Sequence, residues 1–253
     1  MSRPDGRRAA QLRPFRLQRR VVRGVPGSIL VQTGHTHVLC TACVETGVPA
    51  WRAGQGAGWV TAEYDMLPAS TTQRRPRNRG KIDGRTQEIQ RLIGRCMRAV
   101  VNPAALGERT IWIDADVLQA DGGTRTAAIT GSYVALADAI AWLGSPAGRA
   151  AAGSRGADLP PVDPRRALTG QVAAVSVGKV DGRIVLDLCY EEDRRAAVDF
   201  NVAMTSGGGL VECQGTAEGA VFSLAEMNKM VGLAARGIRE LLAMQRRALA
   251  RRK

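Results

Sequence analysis

Histidine is nearly absent from this chain of 253 residues: only His35 and His37 occur, without metal-ligating company, and neither is given a catalytic role. Cysteine is sparse too, with Cys40, Cys43, Cys96, Cys189 and Cys213 all set inside apolar patterns. "CTAC" at 40–43 has the spacing of half a zinc site. Residues three apart on an alternating strand point to opposite faces, however, and no second such pair follows, so these read as core cysteines rather than a metal or redox site. Uninterrupted apolar runs are missing as well. The most apolar long stretch, "AAITGSYVALADAIAWLG", is broken by Thr130, Ser132 and Asp138 and reads as a buried helix of a soluble protein. The first residues, "MSRPDGRRAAQLRP", lack the apolar core of a signal peptide. The expectation is a reduced, cytoplasmic protein. "GQGAGW" at 54–59 superficially suggests a dinucleotide loop, but it precedes a strand pattern rather than a helix and reads as a tight turn.

Acidic residues are in deficit. Lys and Arg number 36 against 23 Asp and Glu, a net charge of +13, and 32 of the cations are arginine. Polyanions are the favoured partner class. An arginine-rich surface is also what a solvated, G+C-rich-encoded protein shows, so the placement of the charges has to decide.

Period-two and short apolar runs predict strands near 28–33, 36–46, 58–64, 109–117, 171–177, 183–190, 196–205 and 209–214. Helical spacing occurs three times. One stripe holds Ile89, Leu92, Ile93, Cys96, Met97 and Val100; a second holds Ile129, Tyr133, Leu136, Ile140 and Leu143. The third follows a capping box from Ser223 to Glu226, carries Met227, Met230, Val231, Ala234, Ile238 and Leu241, and ends in the solvated "RRALARRK". Between 144 and 170 the periodicity drops and Gly, Pro and Ala accumulate, as in a surface connection. The chain therefore reads as one α+β domain over 1–245, with halves at about 16–147 and 165–245 and a basic tail over 246–253.

The segment "RTIWIDADVLQADGGTRTAAITG" joins a two-faced strand, a glycine turn and a helix start. Free backbone N–H groups and the positive end of a helix dipole then converge where a phosphate would bind. The dipole alone contributes ~0.3–1 kcal/mol, so the forked donors of Arg125 matter more, with the Thr124 hydroxyl beside them. In order along the chain, "RPDGR", "GWVTAEYDMLPAST", "GRTQEIQRLIGR", "LGERTIWIDADVLQADGGTRTAAITG", "VAAVSVG", "LDLCYEED" and "VECQGTAEGAVFS" resemble the ribonuclease PH family, over nearly the whole chain. The resemblance implies a duplicated fold of the ribosomal protein S5 domain 2 type. It also implies a phosphate-dependent 3′ to 5′ exoribonuclease that trims tRNA and other RNA precursors, releases nucleoside diphosphates, and runs backwards as a nucleotidyltransferase. By the same resemblance, Arg85, Gly123, Thr124 and Arg125 hold the attacking inorganic phosphate.

"LDLCYEEDRRAAVDFNV" places Asp187 within a strand pattern and Glu191, Glu192 and Asp193 at a hairpin turn. Fully extended, Asp187 and Asp193 would lie ~20 Å apart at 3.3 Å per residue, so they share a site only if the chain bends between them. The resemblance makes Asp187 and Asp193 the acidic pair at the leaving group, either through a general acid or as ligands of Mg²⁺. In "TTQRRPRNRGKIDGR", Arg74, Arg75, Arg77, Arg79 and Lys81 precede Arg85 in a stretch that proline and glycine keep irregular. RNA contact is the expectation there, and four phosphate contacts would give a salt slope near ~−3 at ~0.7 each. In the family this region lies near the subunit contacts of a homohexameric ring, a trimer of dimers. The competing expectation is a non-catalytic RNA-binding ring subunit. A hydrolytic nuclease is disfavoured, because its metal cluster is not evident in the sequence.

Overall fold

The computed structural model describes residues 3–77, 80, 82–153, 159–219 and 221–251. Alternating burial along the chain builds two sheets. In the first half, β1 (Phe15–Arg19), β2 (Gly27–Thr33), β3 (Thr36–Thr46) and β4 (Trp59–Met66) precede α1 (Gly84–Arg98), the one-turn α2 (Pro103–Leu106), β5 (Arg109–Gln119) and α3 (Thr124–Leu143). Next come α4 (Pro146–Gly153) and α5 (Pro164–Ala167). The second half holds β6 (Val172–Val180), β7 (Arg183–Leu186), the one-turn α6 (Tyr190–Asp193), β8 (Ala196–Thr205), β9 (Leu210–Ala217) and α7 (Leu224–Ala250).

Sheet one runs β1-β2-β3-β5-β4, antiparallel except for the parallel β4/β5 pair; sheet two runs β7-β6-β8-β9 and is antiparallel throughout. The long helix α3 lies between them, packed on β2 and β3 on one side and on β6 on the other. This explains why its pattern departs from the single stripe expected: residues all round it are buried, including Thr130 and Ser132. Polar groups buried in such a helix are usually paired, as Thr130 is. Thr130 Oγ1 exchanges hydrogen bonds with the Ala174 backbone, and Gln245 of α7 donates from Nε2 to the carbonyls of Thr130 and Val172 at 2.8 and 2.9 Å.

Strand β6 is buried on both faces. Val172 and Ala174 join the core around α3, whereas Ala173, Val175 and Val177 join a second core under α7 with Phe200, Met230, Ile238 and Leu241. On β8 the same alternation sends Val198, Phe200 and Val202 to the α7 side. Asp199 and Asn201 consequently face the α3 side.

Several elements differ from the sequence expectation. β1 has only five residues, and its partial burial leaves little apolar contrast to read. The strand expected over 183–190 stops at Leu186; Asp187 then takes φ +56, and the expected hairpin turn at 191–193 is a helical turn. The 144–170 connection contains α4 and α5, and α7 runs on to Ala250 through most of the basic tail.

Candidate active site

A cavity of about 470 Å³ opens where the α3-facing side of sheet two extends past the start of α3. Two helix N-termini meet there: Arg85 comes from the first turn of α1, and Gly123, Thr124 and Arg125 from the start of α3. The start of α3 carries no side-chain cap, so its N–H groups favour an anion here, whereas α1 is capped by the Asp83 carboxylate on the Thr86 N–H and contributes the Arg85 side chain. The Arg85 side chain is exposed and makes no hydrogen bond or ion pair among the described residues. Arg125 is held ready, its Nη1 donating to Gln214 Oε1 of β9 at 2.9 Å and to Glu88 Oε2 of α1 at 3.3 Å. The Thr124 hydroxyl accepts from the Tyr64 hydroxyl at 2.9 Å, which leaves its own proton free to donate into the cavity.

The glycine turn is shaped by what presses on it. Gly122 and Gly123 both have positive φ, +74 and +65. A Cβ on Gly122 would lie 2.7–2.9 Å from the backbone of Leu188, Cys189 and Tyr190, and one on Gly123 would lie 2.9 Å from Arg13 Nη2. Only glycine satisfies both the left-handed backbone and the contact. The turn is also tied to the segment carrying the acidic residues, because the Tyr190 N–H donates to Asp121 Oδ1 at 3.1 Å.

The carboxylates that line the cavity are Asp193, Asp199 and Glu218. Asp187 is not among them. Its carboxylate is buried and accepts from Arg13, at 2.7 Å from Nη2 and 2.7 Å from the backbone N–H, with Arg7 3.7 Å away. The bend that the sequence required between the two aspartates thus separates them: Asp187, in its left-handed conformation, turns onto the N-terminal arm, and α6 carries Asp193 to the cavity. The arm completes this arrangement. Arg3 binds Glu192 through Nε and Nη2 at 2.6 and 2.7 Å, while Arg13 also donates to the Asp121 and Gly122 carbonyls of the glycine turn. Burial lowers the affinity of Arg13 for its proton, but the charge and hydrogen bond of Asp187 outweigh it and hold the guanidinium protonated.

Asp199 is the acidic residue that the sequence reading missed. The available signal was the one that singled out Asp187, a carboxylate between apolar neighbours in a strand, here Val198 and Phe200. Its Oδ2 accepts from Asn201 Nδ2 at 3.2 Å, while its Oδ1 is buried without a partner. Burial, reinforced by the charge of Asp193, pushes its pKa up to about 6. Burial also raises the Asp193 carboxyl, against the opposing fields of Arg85 and Arg125.

Of the expected RNA-binding residues, Arg79 and Lys81 lie outside the described residues. Arg74, Arg75 and Arg77 lie in irregular chain and do not line the cavity; Arg75 donates to Met66 Sδ and sits 3.9 Å from Asp83. Cys40 is buried and Cys43 half-buried on opposite faces of β3.

Models of the 3′ exoribonuclease family match residues 11–141 (domain 1) and 170–237 (domain 2). The chain belongs to the ribonuclease PH family of 3′ exoribonucleases. It is 55% identical to ribonuclease PH of Synechococcus sp. strain JA-2-3B'a(2-13) over 249 residues, covering 98% of this chain and 97% of that one. It is 56% identical to ribonuclease PH of Saccharopolyspora erythraea over 252 residues, covering 99% and 95% of the two chains. Among solved structures, rice Rrp46 superposes with a TM-score of 0.76 at 18% identity over 98% of this chain and 100% of that one. The Archaeoglobus fulgidus exosome with RNA bound to the active site gives 0.76 at 20% identity, over 95% and 91%. These likenesses place the two-sheet architecture among ribonuclease PH and exosome folds. The cavity lies between the segments matched by the two family domains, drawing Arg85 and Arg125 from the first and Asp193 and Asp199 from the second.

Proposed function

We propose that this cavity carries out phosphorolysis at RNA 3′ ends, tRNA precursors included, releasing nucleoside diphosphates and running in reverse to add nucleotides. One observation carries the reading: two helix N-termini and two arginines converge on a space faced by Asp193 and Asp199. Inorganic phosphate binds to the turn at Gly123 and Thr124 and to the guanidinium groups of Arg85 and Arg125. Phosphoryl transfer depends chiefly on such positioning and charge neutralisation. The displaced ribose oxygen then needs a proton. Asp199, whose pKa lies near 6, keeps part of its population protonated near neutrality and is suited to supply one.

A hard cation also fits these residues, because the buried Oδ1 of Asp199 lacks a partner and Asp193 stands beside it. Asp193 and Asp199 would hold Mg²⁺, which would stabilise charge on the transferring group and the leaving oxygen. Among the described residues no three ligating side chains cluster, so the ion would take its remaining ligands from water and phosphate, as Mg²⁺ usually does. Asp187 is assigned a positioning role through Arg13. The irregular 74–77 segment would follow the RNA backbone, and a ring of six subunits would hold the body of the RNA while its tail enters the cavity.

The test incubates the protein with tRNA bearing a short 3′ extension, with and without inorganic phosphate. Nucleoside diphosphates released only with phosphate are expected. Arg125→Ala should lose that turnover, by roughly 10²-fold or more as for removal of a transition-state donor, and keep RNA affinity within a few fold. Monophosphates released regardless of phosphate would replace the mechanism with hydrolysis. RNA binding without release would favour a non-catalytic ring subunit.

A further inference from the structure

The cavity wall is polar almost throughout, and Arg85, Arg125, Asp193 and Asp199 are the charged members given a part in the reaction above. One lining residue is of a different kind. Tyr190 is 54% exposed, although the chain has only ten aromatic residues, and among the described residues it is the one large exposed hydrophobic side chain that borders the cavity. Trp51, at 59% exposure, lies elsewhere, packed edge-on against Trp59 with Arg52 over both rings. An aromatic ring left open on the wall of a polar cavity offers a flat face on which a planar ligand can stack.

The backbone under Tyr190 is fixed from two sides. It is the first residue of α6, whose last residue is Asp193, and its N–H is bonded to Asp121 at the glycine turn. The point from which the ring projects is therefore held in place relative to both the phosphate turn and the acidic pair. A nucleotide whose phosphodiester lies between those two groups must place a base nearby. Besides Tyr190, the only apolar side chain on the wall among the described residues is Ala196. A flat aromatic face accepts any base, whereas selection among bases would require fixed donors and acceptors along the base edge.

Resting on the phosphorolytic reading of the cavity, we infer that Tyr190 is a stacking platform for one of the two bases flanking the scissile linkage. It gives the site grip on an RNA 3′ end without preference for its sequence.

The experiment is a double cycle of equilibrium binding. Wild type, Tyr190→Phe and Tyr190→Ala are titrated with single-stranded RNA carrying an intact 3′ end, or an abasic nucleotide at the last or the penultimate position. Thermal melts first confirm that each variant is folded. On intact RNA, Tyr190→Ala should bind roughly tenfold more weakly and Tyr190→Phe within about twofold of wild type, because stacking uses the ring and not the hydroxyl. One of the two abasic RNAs should bind wild type equally weakly and lose nothing further on Tyr190→Ala. Penalties that multiply at both positions, or an intact-RNA affinity unchanged by Tyr190→Ala, would overturn the inference. Phosphate-dependent turnover by the wild type is measured alongside. Its absence would remove the phosphorolytic reading, while the binding cycle would still decide whether the ring stacks on a base.

Discussion

Asp199 is where the fold pays for its chemistry. Its pKa of about 6, against an ordinary 3.8, means that the folded protein holds this proton more tightly than the unfolded chain does. Stability therefore falls as pH rises from about 4 through 6, where the native carboxyl must ionise in a partly desolvated site beside Asp193. Asp199→Asn should raise the melting temperature by several degrees at pH 7 in phosphate-free buffer, within a ceiling of ~3 kcal/mol for two pKa units. The gain should vanish below pH ~4, where wild-type Asp199 is neutral in both states. The same variant should lose the limb of the pH–rate profile near 6 together with most of its activity; a variant that keeps that limb would remove Asp199 from the chemistry. The sequence displayed this residue between Val198 and Phe200 but not its neighbours, because depressed solvation is a property of the cavity and not of the strand.

Among the elements, the N-terminal arm is the one whose importance sequence reading least conveys. "RPDGRRAAQLR" contains no apolar periodicity, yet Arg3, Arg7 and Arg13 all reach the 187–192 segment, and Arg13 also clasps the glycine turn. A buried charge pair that loses one partner typically costs 3–5 kcal/mol. Asp187→Asn leaves Arg13 uncompensated, so denaturant melts should show a loss of about that size. If Asp187 acts by positioning, the folded variant keeps the pH–rate limb near 6 that Asp199→Asn abolishes. A disappearance of that limb would return Asp187 to the chemistry itself. The strands β3 and β8 match their expected bounds because their alternation is strong; β1 and α6 escape notice because a five-residue edge strand and a single helical turn carry too few residues to establish a period.

For the whole molecule, the charge of +13 bears on RNA rather than on folding. Counterion release ties affinity for single strands to salt at ~0.7 per phosphate contact. Replacing Arg74, Arg75 and Arg77 together by Gln should lower the slope of log K against log salt by ~2, read by fluorescence anisotropy at several ionic strengths. An unchanged slope would place the RNA path elsewhere. The helix α3 shows the same division between composition and context. By length and hydropathy it could cross a membrane, yet 83% of its most apolar window is buried between two sheets.

What the amino-acid order alone determined is local or compositional. It includes the alternation that makes the strands, the amphipathic spacing of α1 and α7, the glycine turn that opens α3, and the motifs that mark the family. These follow from interactions among residues a few positions apart. The tertiary structure decided which carboxylates share a space with the phosphate turn. Asp187 and Asp193, six residues apart, are sent to an arginine clamp and to the cavity, while Asp199 on the neighbouring strand joins Asp193. That choice rests on a positive φ at Asp187, on the burial of Arg13 and on the packing of β8 beside α3; Arg13 and Asp187 meet across more than a hundred residues of chain, and β8 and α3 across more than fifty.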